Sequence, residues 1–384
     1  MYIMIYKTVK RSLCFLSFLF PSFVSTNAQN TLSLAANLMQ PGDSVTKERV
    51  EYVYSGEYGN HAVWDFSNLE TEDIYCIKYD TISESQLIGY DMQKTYNYRF
   101  TNDSLLMTGY ESPLFSVDYV QPRLIHPFPL QLNQTYSADY QGDGRYCGTH
   151  FERNFGSVRI TADAIGTLIL SEKDTLPNTL RVYTINTEAI RLNRDSCRND
   201  SDNLKLVITE QYQWYARGYR YPVFETITSS TYDNMNHVAT QQYAYRCPPI
   251  VQEVLNDSVN EQIRINDRLA GNISDDFGNN KNNPVVNNGE NSNSESPNDV
   301  DSNFTYEIQT DGNRVTITYD IKTKSNVHAM VVDVLGSVYR DVQQTNQAGN
   351  GYVINIDCTG LRRGQYIIYI NVNGTIFSKK IPVK

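Results

Sequence analysis

The sequence predicts an all-β protein in two folded bodies: a large N-terminal β-sandwich-like domain, a flexible linker and a small C-terminal immunoglobulin-like β-sandwich. Three observations lead there. Strand-length runs rich in Val, Ile, Thr and Tyr recur between clusters of Gly, Asn, Asp and Ser. No segment sustains a helical period with caps at both ends. Between Gly271 and Asn303 the composition changes, with eleven asparagines, six acids and a single lysine in 33 residues. Such a segment buries too little apolar surface to offset chain entropy and reads as a linker.

Residues 1–28 read as a secretory signal peptide. Lys7, Lys10 and Arg11 form a basic n-region, and Leu13 to Val24 is apolar but too short to span a bilayer comfortably. Thr26-Asn27-Ala28 puts small residues at the −3 and −1 positions, so cleavage is expected after Ala28. A retained anchor is the competing reading. Cys14 is preceded by Arg11-Ser12-Leu13, whereas a lipobox wants small residues just before its cysteine. The expectation is an exported chain with no transmembrane span after cleavage.

Cleavage removes three positive charges and no negative ones, taking the formal charge from −10 to −13. That balance argues against a nucleic-acid partner, because non-specific binding rests on Lys and Arg neutralising phosphates. Cys76, Cys147, Cys197, Cys247 and Cys358 remain, none in a CxxC spacing. In an oxidising compartment the first four allow two disulfides in three connectivities. Five unpaired thiols are the equal alternative. Cys358 reads as a small buried hydrophobe on the face of Tyr352, Ile354 and Ile356.

Taken in order, 29–251 is the β-rich domain of unknown function. Its strand-like runs include Arg49–Tyr54, Val158–Ala162, Leu180–Ile185, Leu206–Tyr215, Val223–Thr228 and Val238–Tyr245. In the fourth of these, Leu206, Ile208, Tyr212 and Trp214 share one face that only Glu210 interrupts. Gly166 after Asp163 suggests a tight turn, and Arg217-Gly218 a hairpin before Val223. Trp64 and Trp214 read as core. Residues 252–303 form the Asn/Asp/Ser-rich linker, with a short helix within Gln252–Leu269.

Residues 304–384 are the second body. Val315, Ile317, Tyr319 and Ile321 alternate with polar positions, and Val327 to Val334 is more continuously apolar. Tyr366, Ile368, Ile370 and Val372 fall on one face, Ile367, Tyr369 and Asn371 on the other. Asn373-Gly374 marks a type I′ hairpin. Six or seven strands in about eighty residues suit a small immunoglobulin-like sandwich.

Several of these residues carry a resemblance. Val332-Asp333-Val334-Leu335-Gly336, Ile356-Asp357 with Gly360-Leu361 and Gly364-Gln365-Tyr366, Asn373-Gly374 and Ser378-Lys379-Lys380-Ile381-Pro382-Val383-Lys384 resemble the C-terminal sorting domains of the type IX secretion system of Gram-negative bacteria. Phe304–Asp311 lacks the Pro-Asn-Pro with which such domains commonly open. The resemblance implies a sorting motif of Asp333, Gly336, Gly360, Leu361, Gly364, Tyr366, Lys379, Lys380 and Lys384. It also implies delivery outside the cell or to the outer surface of the outer membrane, with secretion or surface-attachment machinery as partner. Upstream, Pro41-Gly42-Asp43, Trp64-Asp65-Phe66, Ala162–Leu170 and Trp214–Val223 resemble a domain found in many proteins with that tail, which brings no agreed activity.

The residues nominate no catalytic, cofactor or metal site. The five histidines are scattered, no GxSxG occurs, and 43 acids make any glycosidase-like pair unspecific. The acidic loop Asp195–Asn203 lacks EF-hand spacing and reads as a solvated turn. Five Asp-Ser/Thr-aliphatic triplets, among them Asp43-Ser44-Val45 and Asp103-Ser104-Leu105, resemble O-glycosylation acceptors, or else mark strand edges. The first functional expectation is therefore a non-catalytic exported or cell-surface protein. The alternatives are a glycan-binding module, with Tyr212–Tyr221 and Tyr243-Ala244-Tyr245 as stacking platforms, and last a hydrolase on a β scaffold.

Overall fold

Alternation with period two builds nearly every element. The computed structural model describes residues 30–148, 150–171, 174–193, 204–271, 303–333 and 337–383. The expected signal peptide with Ala28, the acidic loop, Cys197 and the Asn-rich stretch 272–302 lie outside them.

A short helix α1 (Leu34–Asn37) precedes strands β1 (Ser44–Val50), β2 (Gly59–Asp65), β3 (Thr71–Ser83), β4 (Gln86–Asp91), β5 (Lys94–Phe100) and β6 (Ser104–Glu111). There follow β7 (Phe115–Pro127), β8 (Thr135–Tyr146), β9 (His150–Ile169), β10 (Thr175–Asn193), β11 (Leu204–Tyr215), β12 (Phe224–Asp233) and β13 (Asn236–Arg246). Strands β10-β11-β12-β13-β1-β3-β4-β5-β6-β7-β8-β9 form one antiparallel series, and β9 pairs back onto β10. The first body is thus a closed barrel of twelve strands among the described residues, not the sandwich expected. Alternation and turn signals are common to both architectures, and closure rests on the long-range β1–β13 pairing.

Two local expectations change with it. Gly166 lies within β9 rather than in a turn. There β2 runs parallel to β9 and its backbone approaches so closely that a Cβ on Gly166 would stand 1.9 Å from the Ala62 carbonyl oxygen. Arg49–Tyr54 is a strand only as far as Val50. Arg217-Gly218 does turn β11 into β12, with Gly218 at φ +82° and Trp214 opposite Phe224. Three of the Asp-Ser/Thr triplets mark strand starts, at Ser44, Ser104 and Thr175.

Helices α2 (Pro249–Glu253) and α3 (Ser258–Leu269) follow the barrel. Asp257 caps α3 by accepting from the Asn260 N–H, and its carboxylate takes a bidentate bond from Arg220 at 2.8 and 2.7 Å. Asn260 donates to the Ala36 carbonyl, so α3 is pinned against α1.

The second body holds β14 (Phe304–Asp311), β15 (Arg314–Ile321), β16 (Ser325–Asp333), β17 (Val338–Asn346), β18 (Gly349–Asp357), β19 (Gly364–Val372) and β20 (Thr375–Val383). They make a sheet β14-β15-β18 and a sheet β17-β16-β19-β20 around one core that includes Ile317, Val331, Ile354, Cys358 and Ile368. Asn373 and Gly374, at φ +48° and +91°, form the hairpin between β19 and β20.

The two bodies touch. Every residue of β16 is buried, because one face packs into its own core and the other onto the barrel. Met330, Val332, Ile367 and Tyr369 join one cluster with Tyr183, Ile185, Leu206, Ile208 and Tyr212 on the outer face of β10 and β11. The Asn373–Gly374 hairpin abuts the barrel as well, where Gln242 donates to the Gly374 carbonyl at 2.8 Å.

Candidate functional site

Alternating side chains of the barrel strands meet inside the ring. Val45, Leu87, Leu105, Val158, Ile160, Val182 and Tyr215 come from six strands and form one apolar cluster with Leu32, Met39, Phe128 and Leu130. This is a floor, closed by the segment around α1, where an apolar recess of about 760 Å³ opens beside Leu34, Leu38, Leu87 and Phe100. Along the same inner faces the residues turn polar with distance from the floor. Val45 gives way to Lys47, Leu87 to Asp91, Tyr215 to Gln213 and Gln211, Val182 to Asn186 and Glu188, and Val158 to Asn154 and Glu152. The barrel is a cup with an apolar base and a polar wall.

Tyrosines line much of that wall. Rings Tyr98, Tyr96, Tyr110, Tyr119 and Tyr140 follow one another across β5 to β8 at centroid separations of 5.5–6.5 Å. Gly156 stands where a Cβ would lie 2.2 Å from the Tyr140 ring, which explains a glycine within β9. Tyr140 Oη donates to Asn186 at 2.9 Å, and Asn154 donates to Glu188 at 2.8 Å. Burial, with the mutual repulsion of the pair, raises the pKa of Glu152, and burial raises that of Glu188 despite Arg123. On the opposite wall Lys47 pairs with Glu225, and Arg49 and Lys47 lie 5.4 and 5.6 Å from the ring centres of Tyr243 and Tyr245.

The stacking platforms expected at Tyr212–Tyr221 do not exist. Tyr212, Trp214, Tyr215, Tyr219 and Tyr221 are all buried, Trp214 completely, packed under β2 and the second body or in the floor. Trp64 and Trp214 are core as expected, edge to face at 5.9 Å. Beside them the wholly buried Arg181 chelates Asp163, donates to the Ser55 carbonyl and lies 4.9 Å from the Tyr212 ring centre.

A second constellation joins the bodies. Glu210, the acid interrupting the apolar face of β11, is 1% exposed and accepts from four groups. Tyr183 Oη and His328 Nδ1 reach Oε1 at 3.0 Å each, while Tyr369 Oη, at 2.8 Å, and Asn371 reach Oε2. His328 Nε2 meets Asp341, which also pairs with Arg159 of β9. Burial alone would neutralise the imidazole, but Asp341 and Glu210 outweigh it and raise its pKa to about 10. Glu210 is held below the usual carboxylate range against its own burial, by the His328 hydrogen bond and charge and then by Asn371 and Tyr369. Two anions and two cations thus close a neutral, hydrogen-bonded network. Sequence reading missed it, and the one available signal was a glutamate in a row of apolar residues.

Of the sorting-motif residues, Asp333, Gly360, Leu361, Gly364 and Tyr366 come together at the end of the second body opposite the Asn373–Gly374 hairpin. Asp333 pairs with Tyr366 across β16 and β19 and accepts from Ser337 N–H and Tyr339 Oη, both at 2.8 Å. The Tyr339 and Tyr366 rings meet at 5.8 Å, and Tyr366 Oη donates to the Arg362 carbonyl at 2.8 Å. Gly360 has φ +84° and Leu361 packs against the core. Lys379 and Lys380 are exposed further along β20. Gly336 and Lys384 lie outside the described residues. Cys76, Cys147, Cys247 and Cys358 are free thiols, Cys358 buried as expected.

No family model matches the chain, and no curated protein matches it. No helix among the described residues is long and apolar enough to cross a membrane.

Proposed function

We propose that this is an exported or cell-surface, non-catalytic β protein in which the second body directs secretion or surface attachment and the barrel faces the environment. The observation that carries the reading is the pairing of Asp333 with Tyr366, which brings Asp333 to the local run that holds Gly360, Leu361, Gly364 and Tyr366. Its strand order, β14-β15-β18 against β17-β16-β19-β20, supports an immunoglobulin-like assignment, since sequential strands are dealt between two sheets as in that fold.

Removing the second body is a poor test, because that also uncovers the barrel face beneath it. The better test reverses charge at Lys379 and Lys380, both exposed. Lys379→Glu/Lys380→Glu should leave the melting temperature unchanged while surface delivery, read by protease shaving of intact cells, falls. Full delivery of the folded variant would count against the reading.

A further inference from the structure

We propose that the apolar recess at the barrel floor binds a single hydrocarbon chain that ends in an uncharged hydroxyl group. The recess measures about 760 Å³ and is walled by Leu34, Leu38 and Met39 on one side and by Leu87 and Phe100 on the other. That volume falls in the range of small-molecule pockets, about 300–1,000 Å³, and the mouths of β-barrels are a favoured place for them. Leu34, Leu38 and Phe100 are only half-buried although each adjoins the floor cluster, so apolar surface inside the recess is left facing water.

The space is held open rather than slack. Behind α1, Arg220 donates to the Ala35 and Leu38 carbonyls at 3.1 and 2.6 Å, and Asn260 donates to the Ala36 carbonyl at 2.8 Å. Just upstream, Leu32 exchanges backbone bonds with Leu130, and just downstream the Gly42 N–H donates to the Tyr79 carbonyl of β3. Across the recess, Leu87 and Phe100 stand on β4 and β5, which are paired within the barrel sheet. Both walls are fixed before a ligand arrives, which lowers the ordering cost of binding.

The lining selects the ligand. The five wall side chains are hydrocarbon or thioether, so a polar body would lose its water there without a partner. Arg220, the one cation among the lining residues, is 2% exposed, and Asp257 and the two carbonyls engage its guanidinium. A carboxylate head therefore finds no counter-charge, and Glu84 at the mouth repels it. Glu84 is exposed, so water and salt screen any attraction it would offer an ammonium. Thr81 Oγ1 donates to the Ser83 carbonyl and Ser83 Oγ to Gln86, which leaves both hydroxyl oxygens to accept from a ligand O–H. A chain bearing an alcohol meets each of these conditions.

Calorimetric titration of the purified protein with 1-hexanol, 1-octanol and 1-decanol, each below its solubility limit, tests this independently of cellular delivery. One site should fill, and each added methylene should tighten binding by about threefold until the recess is full. Decanoate should bind about tenfold more weakly than decanol, and decylammonium no more tightly. Leu34→Glu places a carboxylate in the recess and Leu38→Trp fills it, and each should weaken decanol binding by about tenfold or more. Both side chains are half-buried, so melting temperatures should hold, and either variant suffices if the other misfolds. Four results would overturn the proposal: no decanol binding at its solubility limit, an affinity flat along the series, affinity unchanged in the folded variants, or a charged chain preferred over decanol.

Discussion

Glu210 and His328, 118 residues apart in the chain, share a 3.0 Å hydrogen bond between Oε1 and Nδ1 at the centre of the contact between the two bodies. One partner is 1% exposed and the other 4%, so neither charge has water to fall back on. The apolar residues around them supply adhesion, while this pair sets which faces meet and in what register.

Glu210→Ala should therefore destabilise the protein by about 3–5 kcal/mol, because it strands an imidazolium, two tyrosine hydroxyls and an amide in the interior. Urea unfolding measures it. Glu210→Ala combined with His328→Leu should cost less than the sum of the single changes, since the stranded charge is gone. Additive losses would mean the two residues do not act together.

The pair also sets a pH dependence. His328 titrates near 10 when folded and near the ordinary 6.5 when unfolded, so its stabilising contribution is complete below 6.5 and is lost as pH rises toward 10. Glu210 and Asp341 are depressed, so theirs is complete above the unfolded carboxylate range and fades as pH falls. The melting-temperature gap between wild type and His328→Gln should be widest near pH 5–6 and narrow steadily to pH 10. A gap constant across that window would refute an imidazolium here.

Arg181→Lys keeps the charge yet should still cost about 2–3 kcal/mol. Lysine reproduces neither the bidentate bond to Asp163 nor the planar contact with Tyr212 and the tryptophans. Chemical denaturation monitored by Trp64 and Trp214 fluorescence reads the loss directly, and a variant as stable as wild type would contradict this role.

Gly166→Ala should cost about 3 kcal/mol or more, because the added methyl would meet the Ala62 carbonyl oxygen at 1.9 Å and force β2 away from β9. Faster hydrogen exchange confined at first to β2 is the expected signature. Unaltered exchange there would show that the strands do not approach so closely.

Residues 30–271 made alone should self-associate, since Ile185, Leu206, Ile208 and Tyr212 lose the cover of Met330, Val332, Ile367 and Tyr369. Light scattering checks it. A stable monomer would mean that the uncovered face is not sticky.

Strand character was readable wherever one side of a segment is buried. Val315, Ile317, Tyr319 and Ile321, the Asn373–Gly374 turn and the Arg217–Gly218 hairpin all follow from local pattern, as does the core placement of Trp64 and Trp214. Gly166 was legible as a glycine with a purpose but not as this purpose. A turn and a close strand crossing both ask for a missing side chain, and only the Ala62 backbone distinguishes them.

The order of residues along the chain by itself determined that this protein is built of strands, in two bodies, with apolar faces waiting to be covered. What covers them was decided in three dimensions: whether the long sheet stays open or meets its own edge, and that Ile367 and Tyr369 face a neighbour instead of water. The reason is physical. Period-two patterning depends on contacts between adjacent residues, whereas the closing of the barrel by β1 against β13 and the partners that Glu210 finds in the second body arise from pairings between segments far apart in the chain, which no local pattern records.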